Sequence, residues 1–78
     1  MLTIEKVIEL TSSVSGRGDV TADTVFEELG LDSSGVLELL IEFEILLDTD
    51  VLNEELNLYE FEKVSDMHRY LLRLVSGE

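Results

Sequence analysis

The longest helical pattern of apolar residues follows a turn-forming stretch at residues 30–35. The apolar positions that share one helix face are Val36, Leu39, Leu40, Phe43, Leu46 and Leu47. A second apolar row, Leu37, Ile41 and Ile45, runs beside them, so the apolar arc is wide, as in a helix packed between other helices. Asp32 and Ser33 are both favourable residue types for a helix N-cap. The pattern predicts a helix over residues 33–47 with a serine at its start.

Before this helix, the pattern predicts another helix and a long loop. Leu2–Val14 carries apolar residues on one face and lacks a clear cap, and the two glycines within residues 16–19 end it. Val20–Leu31 is predicted as a long loop with one short helical turn. Phe26 and Leu29 are expected to anchor that loop to the core, so that a site at the end of the loop is held in place.

After this helix, residues 48–50 form a turn, and the pattern predicts a short helix within residues 53–61. A last helix is predicted over Val64–Val75, with Ser65 and Asp66 supplying its cap. Its buried row is expected to contain Val64, Met67, Leu71, Leu74 and Val75. The predicted fold is all-α, a four-helix bundle with three longer helices, a short helix 3 and a long loop between helices 1 and 2.

The start of the helix predicted over residues 33–47 is a favourable place for a negatively charged group. The first N–H groups of a helix lack partners within the helix, and the helix dipole places partial positive charge there. A phosphate or carboxyl group attached to a serine at this point is therefore favoured. The only histidine is His68, distant in sequence, and Leu31 replaces the first glycine of a Gly-x-Ser-x-Gly elbow. The pattern favours a phosphodiester-bearing serine over a hydrolytic nucleophile.

Residues 26–33, Phe-Glu-Glu-Leu-Gly-Leu-Asp-Ser, followed by Leu-Glu-Leu-Leu at 37–40, resemble the signature of acyl and peptidyl carrier proteins. In that family an Asp-Ser pair begins the second helix, and the serine receives a 4′-phosphopantetheine arm from coenzyme A. Ser33 matches the serine and Asp32 the aspartate. The Leu-Asp-Ser-x-Gly-x-x-Glu-Leu version most resembles discrete carriers of amino acids or unusual acyl units, including D-alanyl carriers. Ser34 is a departure, because the family usually has Leu or Met there, and it bears on which serine is modified.

The resemblance implies a single acyl carrier domain over residues 1–78 that catalyses no reaction itself. A phosphopantetheinyl transferase would attach the arm, and the arm would hold an acyl or aminoacyl group as a thioester. The other implied partners are a loading ligase or acyltransferase and downstream synthase domains. The expected setting is bacterial polyketide or nonribosomal natural-product biosynthesis, with D-alanyl and fatty-acid-type carriers as alternatives. An acidic helical adaptor without a prosthetic group is the alternative of another class. The implied partner-facing residues are Ser34, Leu37, Glu38, Ile41, Glu42, Glu54, Glu55 and Tyr59.

Charge narrows the choice of partner for this chain of 78 residues and formal net charge −13. No lysine or arginine occurs between Arg17 and Lys63. Nucleic acid and anionic membranes are poor partners for such a surface, whereas basic protein surfaces are good ones. Glu38 and Glu42 form a like-charge i, i+4 pair, which costs a helix about 0.2–0.5 kcal/mol. We interpret the pair as serving a cationic partner, and we expect a monomer.

Other sequence features are interpreted without a functional role. The chain has no cysteine, so it has no disulfide and no thiolate metal site. Asp48 and Asp50 do not begin a calcium loop, because Leu52 and Asn53 stand where an oxygen ligand and a glycine are needed; no metal site is expected. No apolar run reaches the ~20 residues that cross a bilayer, and no basic leader begins the chain, so a cytoplasmic location is expected. The Arg-Gly-Asp tripeptide at 17–19 is interpreted as a chance match.

Overall fold

The computed structural model describes residues 2–52 and 56–76. Within those ranges the regular elements are helices and 3₁₀ turns, with no strand. The helices are α1 (Ile4–Ser15), α2 (Ser33–Leu47) and α3 (Val64–Ser76). Two short 3₁₀ turns, Phe26–Leu29 and Leu58–Glu60, lie in the connections. The all-α prediction is confirmed, and α2 has the predicted bounds.

The predicted short third helix differs from the structure. Of the range 53–61, only Leu58–Glu60 is helical among the described residues, and it is a 3₁₀ turn. Asn57 begins this turn, since its side-chain oxygen accepts a hydrogen bond from the Tyr59 N–H at 3.0 Å. Residues 53–55 of the predicted helix lie outside the described residues.

The core forms where α1 packs against both α2 and α3. The largest fully buried side chains include Phe43, Leu39, Leu40, Met67 and Leu71. The buried polar residue Thr11 donates its hydroxyl proton to the Val7 carbonyl oxygen over 2.7 Å, so its polar group is satisfied. Phe26 and Leu29 are buried, as predicted for the anchors of the loop.

The helical pattern predicted more buried apolar side chains than the structure contains. Leu46 and Val75, predicted to lie in buried rows, are exposed. The second apolar row of α2 also faces solvent, and Ile45 is 73% exposed. Among the described residues, no helix covers this row, because α1 and the second 3₁₀ turn cover only part of the helix circumference. Leu37 and Ile41, which were expected to face partners, are thus accessible, whereas burial of Ile45 between helices is not observed.

The helix caps add detail to the sequence-based expectation. Thr3 caps α1 despite the absence of a clear signal, since its side chain accepts a hydrogen bond from the Lys6 N–H at 3.3 Å. At the start of α3, the Asp66 carboxylate accepts hydrogen bonds from the backbone N–H groups of Glu62 and Lys63, at 3.2 and 3.0 Å. The cap predicted from Ser65 and Asp66 thus comes from Asp66.

The long loop between α1 and α2 is fixed to the segment before α3. The Phe26 N–H donates to the Glu62 carbonyl over 2.9 Å, and the Val64 N–H donates to the Thr24 carbonyl over 3.0 Å. These bonds flank an antiparallel bridge between Val25 and Lys63. The end of the loop therefore meets α2 at a defined position. Within the described ranges, no helix is long and apolar enough to span a membrane.

Candidate functional site

The site is built at the junction of the loop and α2. Gly30 ends the first 3₁₀ turn with a φ of 75°, a left-handed conformation that glycine adopts without strain. Asp32 is extended, and its Oδ1 accepts a hydrogen bond from the Gly35 N–H at 3.0 Å. Its carbonyl oxygen accepts from the Val36 N–H at 2.9 Å. Asp32 is therefore the N-cap, and Ser33 is the first residue of α2.

The Ser33 side chain is exposed at this helix start. Among residues 2–52 and 56–76, no group forms a hydrogen bond with its hydroxyl. The only histidine, His68, has its Nε2 3.1 Å from the Leu2 carbonyl oxygen. Leu2 lines a groove with Leu46 at the far end of α2, about 20 Å along the helix axis from Ser33. The hydroxyl is therefore accessible and has no histidine beside it to act as a base.

A groove of about 420 Å³ lies beside Ser33, between the start of α2 and the second 3₁₀ turn. Its apolar lining includes Leu31, Val36 and Leu58, and the acidic residues Glu27, Asp32 and Glu62 also line it. Tyr59 also lines it and is 90% exposed. The groove thus offers an apolar surface next to the serine, bordered by negative charge.

Two rows of exposed residues run along α2 from the site. The apolar row follows Ser33 at i+4 steps through Leu37 and Ile41, which are 37% and 41% exposed. The acidic row follows Ser34 at the same spacing through Glu38 and Glu42. In the part of the chain that the structure describes, no lysine or arginine forms an ion pair with either glutamate.

The predicted site residues therefore fall into three groups. Ser33, Asp32 and Ser34 share the first turn of α2 or its cap, with the α2 rows following along one side. Tyr59 reaches the same groove from a different element. Glu54 and Glu55 lie outside the described residues. Across the described ranges, no cluster of side chains is suited to hold a metal ion.

Three features of this region were missed at the sequence level. Ile45 was assigned to the second apolar row but not to the partner-facing residues, although it is exposed like Leu37 and Ile41. Glu44 Oε2 accepts hydrogen bonds from the backbone N–H groups of Val51 and Leu52, both at 3.2 Å, and so fixes the chain that leaves α2. The Leu31 side chain occupies the space that a Cβ atom at Gly35 would need, an arrangement that no spacing in the sequence indicates.

Comparison with known families agrees with the geometry. The family model described as "phosphopantetheine attachment site" matches residues 5–71, most of the chain. No curated protein and no solved structure matched this chain significantly. Members of the matched family carry 4′-phosphopantetheine covalently and serve as carriers that are not themselves catalytic. The chain thus belongs to the phosphopantetheine-attachment family of acyl and peptidyl carrier proteins.

Proposed function

We propose that Ser33 is the residue to which a phosphopantetheinyl transferase attaches the arm, using coenzyme A as donor. The observation that carries this proposal is the exposed hydroxyl at the first position of α2, without a hydrogen-bond partner among the described residues. The match over residues 5–71 supports the same assignment. On this proposal these residues form one carrier domain.

The helix start fits a phosphodiester on Ser33. The first backbone N–H groups of a helix have no carbonyl partner within it. The Asp32 carboxylate accepts from the Gly35 N–H, which leaves the N–H groups of Ser33 and Ser34 without a partner in the helix. Together with the helix dipole they favour an anion attached at this point. The adjoining groove provides apolar surface for the part of the arm nearest the protein. When bound, the arm supplies a thiol that holds the acyl or aminoacyl cargo as a thioester.

Exposed residues of α2 provide the surface that partner enzymes recognise. Leu37 and Ile41 present apolar surface to partner enzymes, while Glu38 and Glu42 attract basic surfaces. Such charges raise the association rate and select partners more than they add affinity, which suits a carrier that must dissociate. Further proposed contacts with partners are Ser34, Glu54, Glu55 and Tyr59.

We propose natural-product biosynthesis in bacteria as the setting, with an acyl or aminoacyl cargo. The support is the Leu-Asp-Ser-x-Gly-x-x-Glu-Leu motif at residues 31–39, and the same motif keeps a D-alanyl carrier as the alternative. The partners are then a loading ligase or acyltransferase and downstream synthase domains. A cytoplasmic monomer fits this role, because coenzyme A is used there and a net charge of −13 opposes self-association. Loading assays on the holo protein with amino acids, D-alanine and malonyl or fatty acyl donors distinguish the cargoes.

Intact mass spectrometry after incubation with coenzyme A and a broad-specificity phosphopantetheinyl transferase tests the attachment. We expect a gain of one phosphopantetheine that Ser33→Ala abolishes and Ser34→Ala retains. The opposite pattern would assign the arm to Ser34. If the wild-type chain gained no mass with several transferases, the acidic-adaptor alternative would replace the carrier.

A further inference from the structure

At the start of α2, the Leu31 side chain occupies the space that a side chain at position 35 would need. A Cβ atom added at Gly35 would lie 2.9 Å from Leu31 Cδ2 and 3.3 Å from Leu31 Cβ. Carbon atoms in good contact are about 3.5–4.0 Å apart, so any side chain at position 35 would displace Leu31. Glycine within a helix is less favourable than alanine by about 1 kcal/mol. Glycine at position 35 therefore lowers the helix propensity, but it leaves room for the Leu31 side chain.

Leu31 is held in this position by the backbone on both sides. Its N–H donates to the Phe26 carbonyl over 3.1 Å, which ties it to the first 3₁₀ turn. The next residue, Asp32, is tied to α2 through the Gly35 N–H at 3.0 Å. Rotation of the side chain would move Leu31 Cδ2 away from an added methyl group, but relieving the 3.3 Å contact at Cβ requires movement of this fixed backbone.

Leu31 also shapes the surface beside Ser33. Leu31 and Val36 line the groove there, at the positions before the N-cap and four residues after it. Apolar residues at these two positions commonly pack together and fix the angle at which the chain joins a helix. The contact at Gly35 therefore influences both the groove wall and the orientation of the residues between Leu31 and Gly35, including Ser33.

We propose that Gly35 and Leu31 are positioning residues for the modification of Ser33. The absence of a side chain at Gly35 lets Leu31 close against the first turn of α2, and this contact sets the orientation of Ser33 relative to the groove. The inference rests on the proposed function, since it concerns the rate at which Ser33 receives the arm. Neither residue reacts; both act through the placement of the hydroxyl.

The test is a cycle of Gly35→Ala, Leu31→Gly and the double variant; Leu31→Gly removes both Cδ2 and Cβ of residue 31. Gly18→Ala is the matched control, because a Cβ atom at Gly18 would meet nothing within 4 Å. Modification by transferase and coenzyme A is followed by intact mass, and unfolding by circular dichroism. We expect Gly35→Ala to lower kcat about threefold to tenfold, because Leu31 must shift by a few tenths of an ångström and misplacement of a reacting group by about 1 Å costs roughly a hundredfold. KM should change little, because the exposed rows of α2 are intact. Gly18→Ala should match wild type.

The double variant separates steric positioning from a general effect of alanine. Once residue 31 has no Cβ, adding Gly35→Ala should change the rate less than about twofold, because the two substitutions are coupled only through their contact. If Gly35→Ala alone fails to fold, recovery of both folding and modification in the double variant supports the proposal, and recovery of folding alone overturns it. Normal kcat in folded Gly35→Ala would overturn this inference only, whereas an unmodified wild-type chain would overturn the proposed function as well.

Discussion

Asp32 combines two properties that substitution can separate, a capping oxygen and a negative charge. Its Oδ1 accepts from the Gly35 N–H at 3.0 Å, and Asp32→Ala removes that hydrogen bond. Loss of an N-cap lowers the free energy of unfolding by about 1 kcal/mol. In a domain of this size, that corresponds to a fall in Tm of about 4–8 °C. Asp32→Asn keeps a capping oxygen without the charge, so its Tm should stay close to wild type.

The same two variants should differ in their reaction with a phosphopantetheinyl transferase. Asp32→Ala lets the first turn of α2 fray and should lower kcat at every ionic strength, because Ser33 is held less firmly. Asp32→Asn should change only the association rate, and mainly at low salt, because screening already weakens the charge at high salt. Stopped-flow binding at two salt concentrations, together with the intact-mass assay, measures both effects.

Thr3→Ala is the matched control for the loss of a cap. It removes the corresponding side-chain hydrogen bond to the Lys6 N–H at the start of α1, away from Ser33. We expect a lower Tm with an unchanged rate of modification. If Thr3→Ala slowed modification as much as Asp32→Ala, the rate would follow overall stability, and the local argument would be refuted. An unchanged Tm in Asp32→Ala would refute the capping argument itself.

Two further predictions concern glutamates of α2. The double substitution Glu38→Gln and Glu42→Gln should raise stability slightly by relieving like-charge repulsion, and should lower the salt-dependent association rate with partner enzymes. Glu5→Gln on α1 should leave that association rate unchanged. An unchanged rate for the double variant in surface plasmon resonance would contradict the docking role. Glu44→Ala should lower the free energy of unfolding by about 1–3 kcal/mol, since two backbone N–H groups lose their acceptor, while Glu44→Gln keeps an oxygen and loses less. Equal urea-unfolding midpoints for both Glu44 variants would contradict this account.

The features that follow from local chemistry were predictable from the sequence. The bounds of α2 were predicted because a continuous apolar pattern begins directly after residues that favour a cap. The buried anchors Phe26 and Leu29 were predicted because isolated apolar residues in a polar loop need a core to bury them. The carrier family was predicted from the Asp-Ser pair and its flanking leucines, and the family match confirmed it.

The features that depend on packing were not predictable in the same way. Periodicity identifies the apolar residues of a helix, but not how much of that surface a small bundle can cover. Leu46 and Val75 were therefore assigned to the core and lie exposed. The contact between Leu31 and Gly35, and the bonds from Glu44 to the chain after α2, depend on distances that emerge only in the folded chain.

The hydrogen bonds of Phe26 and Val64 have a consequence for the order of events during synthesis. They join the loop that leads into Ser33 to residues near the start of the last helix, so a ribosome-bound chain that ends before Glu62 lacks them. Contacts between distant parts of a chain form late in folding. We therefore expect a chain that ends before Glu62 to be a poorer transferase substrate than the 78-residue chain, because the loop before Ser33 is not yet fixed in place.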